Sequence, residues 1–399
     1  MAERPVEADT EAAGIRDVQA QTRAWAALWR RSSPSSVVHV DATALSDGTG
    51  QDADDRRRSV RDALASAGAP ARDRDLIDDI LAEPTGAAGP CSRFLVVAEG
   101  EQLVNSVLSR PTVPGEIVAY TAVPDLLPLL LDRRGDALYL VVEAGREGGE
   151  IHVLRASQPS ALRRTDVQGR ADSLNKVQAG GWSHSRYQHH SEEIWKQNQT
   201  LLAAAVDGLV RELRPRFVVL AGDLRAVQLL SDEFSPGARA ISSTVQTHVR
   251  AAGSSRGALD EHVAHTLGKL RKADESAAVD RLAAGDFENG AVGVGAVIHA
   301  LQQGQVDTVL LDLEAIGPRT LFALAAGPWV ASAPEEALGA PVLDSVPAAV
   351  ALARAALVSD SRLMFVAPDR LPERAGVAAV LRWPTGPAVP GTPRWTQTP

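Results

Sequence analysis

The chain has 399 residues, 45% of them hydrophobic and 23% charged, with a formal net charge of −9. That length allows two or three domains with their own cores, and the apolar share is that of a globular protein. The negative charge excludes indiscriminate nucleic-acid binding, and a single cysteine, Cys91, excludes an intrachain disulfide framework. The first thirty residues carry charge throughout and hold no apolar signal core, and no apolar run is long enough to span a bilayer. A cytoplasmic, reducing setting is therefore expected, with no membrane partner.

In chain order, residues 14–31 read as a helix with Val18, Trp25, Leu28 and Trp29 on one side, and 37–40 as a strand. The polar run 46–59 reads as a mobile loop. Two helices follow, broken at Gly68-Ala69-Pro70. Residues 93–98 and 102–108 form a hairpin around Glu99-Gly100-Glu101; 116–120 has strand character, and 124–131 is a short apolar helix. These elements make a first α/β domain over 1–133, with Cys91 as a core residue.

A second domain, 134–256, opens with a hairpin of 137–143 and 151–156 around a Gly-rich turn. A basic arm comes next, then a helix over 186–213 with Leu202, Val206, Leu209 and Leu213 on one face, ended by Pro215. Strand 217–222, helix 224–230 and strand 241–249 complete it. The third domain, 257–399, starts with a long helix over 258–284. A Gly-rich lead-in at 289–295 enters a helix bearing Val297, Ala300 and Leu301. A strand at 306–313, a helix at 348–357 and strands at 363–366 and 377–383 follow. The tail from Pro384, rich in Pro, Gly and Thr, reads as disordered.

The arm is where the acidic chain reverses its charge. Between Ile151 and His190, Arg155, Arg163, Arg164, Arg170, Lys176 and Arg186 face only Asp166 and Asp172. At its tip stand Gly180-Gly181, free of Cβ restriction, then Trp182, Ser183 and His184. Ser185 and Gln188 have capping-box spacing for the start of the helix that carries His189 and His190. A flexible basic tip on a long helix suits a narrow, negatively charged place; a solvated loop is the plainer alternative. His184, His189, His190 and Glu193 lack the two-histidine turn spacing of a zinc site, so RNA phosphate contact or solvation is preferred to metal. Gly290-x-x-Gly293-x-Gly295 lacks the order of a dinucleotide fingerprint and the Walker Lys-Ser/Thr. No triad signature appears, so neither a cofactor nor a catalytic residue is assigned.

Gly180-Gly181-Trp182-Ser183-x-x-Arg186-Tyr187, followed by Glu192-Glu193, resembles the Gly-Gly-Gln-Ser-x-x-Arg-Phe motif of the archaeal and eukaryotic peptide release factors. Trp182 stands where that family has its catalytic glutamine. Gly295-Ala296-Val297-Ile298-His299-Ala300-Leu301, running on to Val309-Leu310-Leu311, and Gly376-Val377-Ala378-Ala379-Val380-Leu381-Arg382 are similar to segments of the third domain of release factors and their relative Pelota. The likeness covers roughly 134–383, and the first domain shows no counterpart of the stop-codon-reading motifs. The resemblance implies an α/β protein of three domains: a central α/β domain carrying the Gly-Gly loop, and an L7Ae-like α/β/α C-terminal domain. It places the chain in the bacterial branch, nearest the Balon-type ribosome hibernation factors.

It further implies a stress or dormancy factor that occupies the A site of the 70S ribosome, against 23S and 16S rRNA, with elongation factor Tu as partner and no DNA contact. Arg170, Lys176, Gly180, Gly181, Trp182, Ser183, His184, Arg186, His189 and His190 would then meet rRNA near the peptidyl-transferase centre. Without the glutamine, no peptidyl-tRNA hydrolysis is expected. The alternatives are a hydrolase or ribosome-rescue factor with a variant loop, and a stress protein that binds only proteins or small ligands.

Overall fold

The computed structural model describes residues 18–43, 51–87, 90–108, 115–158, 161–169, 183–245, 252–284 and 289–383, with backbone alone at 18–21, 51, 183–192 and 252–256. Two compact units result, one of 1–18 with 135–273 and the other of 19–134 with 274–399. The sequence reading divides the chain at 133/134 and 256/257. The units change over at 134/135 and 273/274, and 19–134 shares its unit with the C-terminal third.

Helix Val18–Trp29 (α1) leads to strand Ser35–Asp41 (β1). Helices Gln51–Ser66 (α2) and Ala71–Ala82 (α3) follow, broken at Gly68 as expected. The run 46–59 is helical from Gln51, not a loop throughout. Arg57 pairs with Asp54 and Arg58 with Asp55, each at 2.8 Å and one turn apart. Ala53, Val60 and Leu64 are buried, so the charge run is the solvated face of an amphipathic helix. Strands Ser92–Ala98 (β2), Glu101–Leu108 (β3) and Ile117–Thr121 (β4) make an antiparallel sheet ordered β3-β2-β1-β4, and Leu127–Asp132 (α4) closes the segment. One face of this sheet (Val38, Val40, Leu95, Val97) packs on α2 and α3, with Cys91 buried beside it.

The other unit is built on strands Leu138–Gly145 (β5), Gly148–Arg155 (β6) and Arg163–Gln168 (β7). Part of the expected arm is thus a sheet edge. Helix Ser183–Leu213 (α5), strand Phe217–Gly222 (β8), helices Leu224–Glu233 (α6) and Pro236–Ala240 (α7), and strand Ser242–Thr244 (β9) follow. The sheet order is β7-β6-β5-β8-β9, with β5–β8 and β8–β9 parallel and the hairpins antiparallel. The strand expected over 241–249 is three residues long, and 246–250 lie outside the described residues.

The alternating side chains of β5 send Leu140, Val142 and Ala144 to one face, where α5 and α6 supply Leu202, Val206, Leu209, Val227 and Leu230. Tyr139 and Val141 go to the other face with Phe217, whose ring stacks on Tyr139 at 4.9 Å. There the long helix Ala252–Ala283 (α8) lays down Leu259, Val263, Leu267 and Leu270.

The last third returns to the first unit described. Gly290–Val292 (β10) is a strand paired with the closing strand, where the sequence reading has only a lead-in. Helix Val294–Gln302 (α9), strand Val306–Leu311 (β11) and the short Leu313–Ile316 (α10) come next. Strands Thr320–Leu324 (β12), Val330–Ala331 (β13) and Val342–Pro347 (β14) form a small sheet ordered β13-β12-β14, absent from the sequence reading. Helix Ala348–Val358 (α11) and strands Arg362–Phe365 (β15) and Val377–Leu381 (β16) complete a second sheet ordered β10-β16-β11-β15.

Every residue of α11 is buried, as an all-round apolar helix must be. Its core includes Trp25, Trp29, Phe94 and Leu126 from the N-terminal segment. Arg354, the one charged side chain of α11, donates to the carbonyls of Trp29 and Trp329, each at 3.1 Å. Burial pushes its pKa down to about 10. The tail from Pro384 lies outside the described residues.

Candidate nucleic-acid interface

The tip residues named from sequence, Arg170, Lys176, Gly180, Gly181 and Trp182, lie outside the described residues. Ser183, His184, Arg186, His189 and His190 belong to the first turns of α5, described in backbone only. The helix begins at Ser183, so Ser185 sits inside its first turn and not at a cap. By helical periodicity Arg186 is one turn from both His189 and His190, whereas His184 falls on the opposite side. Arg155, counted from sequence among the arm's cations, is internal: its guanidinium meets Asp136 at 3.0 Å with both side chains buried. Arg164 is exposed on β7, at the sheet edge.

What the structure shows closely is the root from which the arm leaves and against which the middle of α5 packs. The β5–β6 turn is the anchor. Gly148, at φ +137, would place a Cβ 2.0 Å from the Val167 carbonyl oxygen, so only glycine lets β7 approach there. Where β7 ends, the Gly169 N–H donates to the Glu147 carbonyl at 2.7 Å. A Cβ on Gly169 would fall 2.0 Å from Asn198 Oδ1, so α5 and the outgoing strand are in direct apposition.

The middle of α5 holds that same turn. Asn198 Nδ2 donates to the Arg146 carbonyl at 3.2 Å and Gln199 Nε2 to the Gly145 carbonyl at 2.8 Å. Both side chains are buried, and Gln199 Oε1 has no hydrogen-bond partner among the described residues. The Arg146 guanidinium lies 4.9 Å from the Trp195 ring centroid, within cation–π range, and its Nε is 3.3 Å from Asp223 Oδ2.

Asp223 in turn caps α6, accepting from the N–H groups of Arg225 and Ala226. Burial pushes its carboxyl up, but those two N–H groups and the Arg146 guanidinium together hold it below the usual carboxylate range. Thr200 Oγ1 and Lys196 Nζ reach Glu233 on α6 at 3.1 and 3.7 Å. The outgoing end of the arm and the middle of the helix that follows it are therefore fastened to one turn by polar bonds.

Sequence reasoning missed Arg146, Trp195, Asn198, Gln199 and Asp223. The signal available was the crowding of Gly145, Gly148, Gly149 and Gly169 at one end of the sheet. Among the described residues no group of three His, Cys, Asp or Glu could hold a metal ion.

Residues 138–286 match the model of bacterial archaeo-eukaryotic release factor family 2. The chain is 26% identical over 344 residues to the uncharacterized protein Rv2629 of Mycobacterium tuberculosis, spanning 82% of this chain and 87% of that one. Similar solved structures include Archaeoglobus fulgidus Pelota at 17% identity and TM-score 0.35, covering 73% of this chain and 79% of that one. Saccharomyces cerevisiae Dom34, a translation termination-like factor, is 10% identical at TM-score 0.38, with coverage of 74% and 82%. The archaeal translation termination factor aRF1 is 14% identical at TM-score 0.25, with coverage of 92% and 98%. Superpositions this loose transfer no domain arrangement. The family match supports a release-factor-like character for the segment that carries the arm.

Proposed function

We propose that the protein is a ribosome-binding hibernation factor that occupies the A site, directs its central arm towards the peptidyl-transferase centre and hydrolyses no peptidyl-tRNA. The observation that carries this reading is that the segment matched by a bacterial release-factor family has Gly180-Gly181-Trp182 at its tip. Indole offers one N–H donor and no acceptor, so Trp182 cannot hold a water as an amide can. It can stack on an exposed base, worth about 1–3 kcal/mol by analogy with single-stranded sites. Arg170, Lys176 and Arg186, with His184, His189 and His190, supply the positive surface for rRNA phosphates, and the bonded root supplies direction. Elongation factor Tu is the proposed partner in delivery, since the chain has no phosphate loop of the GxxxxGK[ST] kind.

A ribosome-rescue or release role is the second reading, favoured by the retained Gly180-Gly181 and Ser183-x-x-Arg186 frame. One assay divides the two. Wild-type protein is mixed with 70S ribosomes carrying labelled peptidyl-tRNA, and both pelleted protein and released peptide are measured. The expected result is stoichiometric pelleting, weakened by Trp182→Ala, with peptide release at the protein-free level. Release well above that level would establish the hydrolase reading; no pelleting with or without elongation factor Tu would remove both.

A further inference from the structure

Helix α8 turns two different faces away from the sheet it covers. Leu259, Val263, Leu267 and Leu270 point into the core. Roughly opposite, at spacings of four and three residues, stand His265, Lys269 and Lys272, all exposed. No ion pair to a carboxylate joins these three among the described residues, although the helix also carries Asp260, Glu261 and Asp274. Lys269 and Lys272 are half of the chain's lysines. Their field reaches a neighbour: besides burial, His265 and Lys269 help hold the imidazole of His262 below its ordinary value, while its Nε2 lies 2.9 Å from Ser243 Oγ.

Beside this row runs a strip with almost no side chains: Gly257, Ala264 and Gly268. A Cβ on either glycine would meet nothing within 4 Å. A glycine inside an exposed helix costs about 1 kcal/mol relative to alanine, and neither position has the positive φ or close neighbour that would require one. What the pair leaves is open space over bare backbone, where another backbone can come close. Glu261 interrupts the strip one turn before His265, which sets the N-terminal limit of the basic row.

We propose that His265, Lys269 and Lys272 of α8, with the bare strip beside them, form a second RNA-contacting rail that binds the phosphodiester backbone, separate from the Gly-Gly arm. From His265 to Lys272 the helix rises about 10 Å, at roughly 1.5 Å per residue. That reach is enough for Lys269 and Lys272, one turn apart, to meet neighbouring phosphates of one strand. Cations on one edge and free space on the other suit the sugar-phosphate backbone of a nucleic-acid strand. The inference rests on the reading that the chain works on RNA; it assigns that contact to a helix the tip motif does not include.

The test uses the full-length protein and the variant Lys269→Gln/Lys272→Gln, both exposed positions whose exchange leaves the core untouched. Each is titrated against 70S ribosomes and against a fluorescent oligouridylate across a salt series. Removing two phosphate contacts should make the slope of log affinity against log salt shallower by about 1.4–1.8, at 0.7–0.9 per contact. Equal slopes and equal affinities for variant and wild type would overturn the rail. A weaker affinity with an unchanged slope would also overturn it and give the surface to a protein partner. Wild type that ignores ribosomes yet binds the oligonucleotide with the steeper slope would sink the ribosome reading and keep the rail. Wild type that binds neither would sink both.

Discussion

Gly169→Ala tests the root of the arm most directly. The added methyl would lie 2.0 Å from Asn198 Oδ1, 2.2 Å from its Cγ and 2.8 Å from its Cβ, so the amide must swing away or the strand must lift. Overpacking of this kind costs about 1–3 kcal/mol. The displaced amide also gives up its bond to the Arg146 carbonyl, about 1 kcal/mol more. We expect a total loss near 2–4 kcal/mol. In an Asn198→Ala background only the 2.8 Å contact remains, and the same change should cost about 1 kcal/mol, giving a coupling of roughly 1–3 kcal/mol.

The assay is urea unfolding of the whole chain, followed at peptides within 138–222 by pulsed hydrogen exchange, in a full double-mutant cycle. Gly169→Ala should also weaken ribosome pelleting at urea-free conditions where the unit stays folded, because the arm then leaves in a different direction. Additive costs in the cycle would refute the apposition of Gly169 and Asn198. Full pelleting by a destabilised Gly169→Ala protein would refute the claim that the root aims the arm.

Three further outcomes follow from particular bonds. Arg354→Met should destabilise the unit built from 19–134 and 274–399 by about 2 kcal/mol, since the carbonyls of Trp29 and Trp329 lose charged donors while a costly buried charge is relieved; an unchanged melting temperature would refute this. His39, buried with its Nε2 3.0 Å from Ser92 Oγ, has its pKa lowered by burial, partly opposed by Glu116 and the Gly115 backbone. The unfolded chain therefore takes up the proton first, so stability is full above about pH 6.5 and falls as the pH drops below it; His39→Leu should flatten the urea midpoint between pH 7.5 and 5.5. Asp223→Ala removes both the α6 cap and the Arg146 partner and should cost about 1–2 kcal/mol by thermal unfolding, with Asp223→Asn losing less than half of that.

Much of the secondary structure was legible because periodicity is a local signal. The β2–β3 and β5–β6 hairpins, β8 and the apolar face of α5 follow from alternation and from spacings of three and four. The failures have physical causes too. Residues 51–59 look like a loop by charge, yet their charges pair along a helix whose buried positions, Ala53, Val60 and Leu64, are thinly spaced. Gly290–Val292 is a strand only because β16 pairs with it, and β7, read as basic arm, is ordered by its partner β6. At the site, the tip was visible as a motif. The root was not, because Asn198 and Gln199 carry no signal until folding brings them against a turn some fifty residues earlier in the chain.

The joint core of α1, β1–β4 and α11 has a consequence for how the protein is made. Residues 19–134 leave the ribosome first, but Ala348–Val358, the helix that completes the core they share, is synthesised more than two hundred residues later. At about 5–20 residues per second, that is a delay on the order of ten seconds or more. During it the segment has α2 and α3 to cover one face of its sheet and α1 and α4 beside the other, while the cluster that these form with Phe94 and Val96 still lacks α11. The interposed unit, by contrast, has both its cores within 135–273 and can close while the C-terminal third is still being translated. Nascent chains stalled near residue 280 should therefore bind hydrophobic-surface chaperones through 19–134 and release them once α11 has emerged.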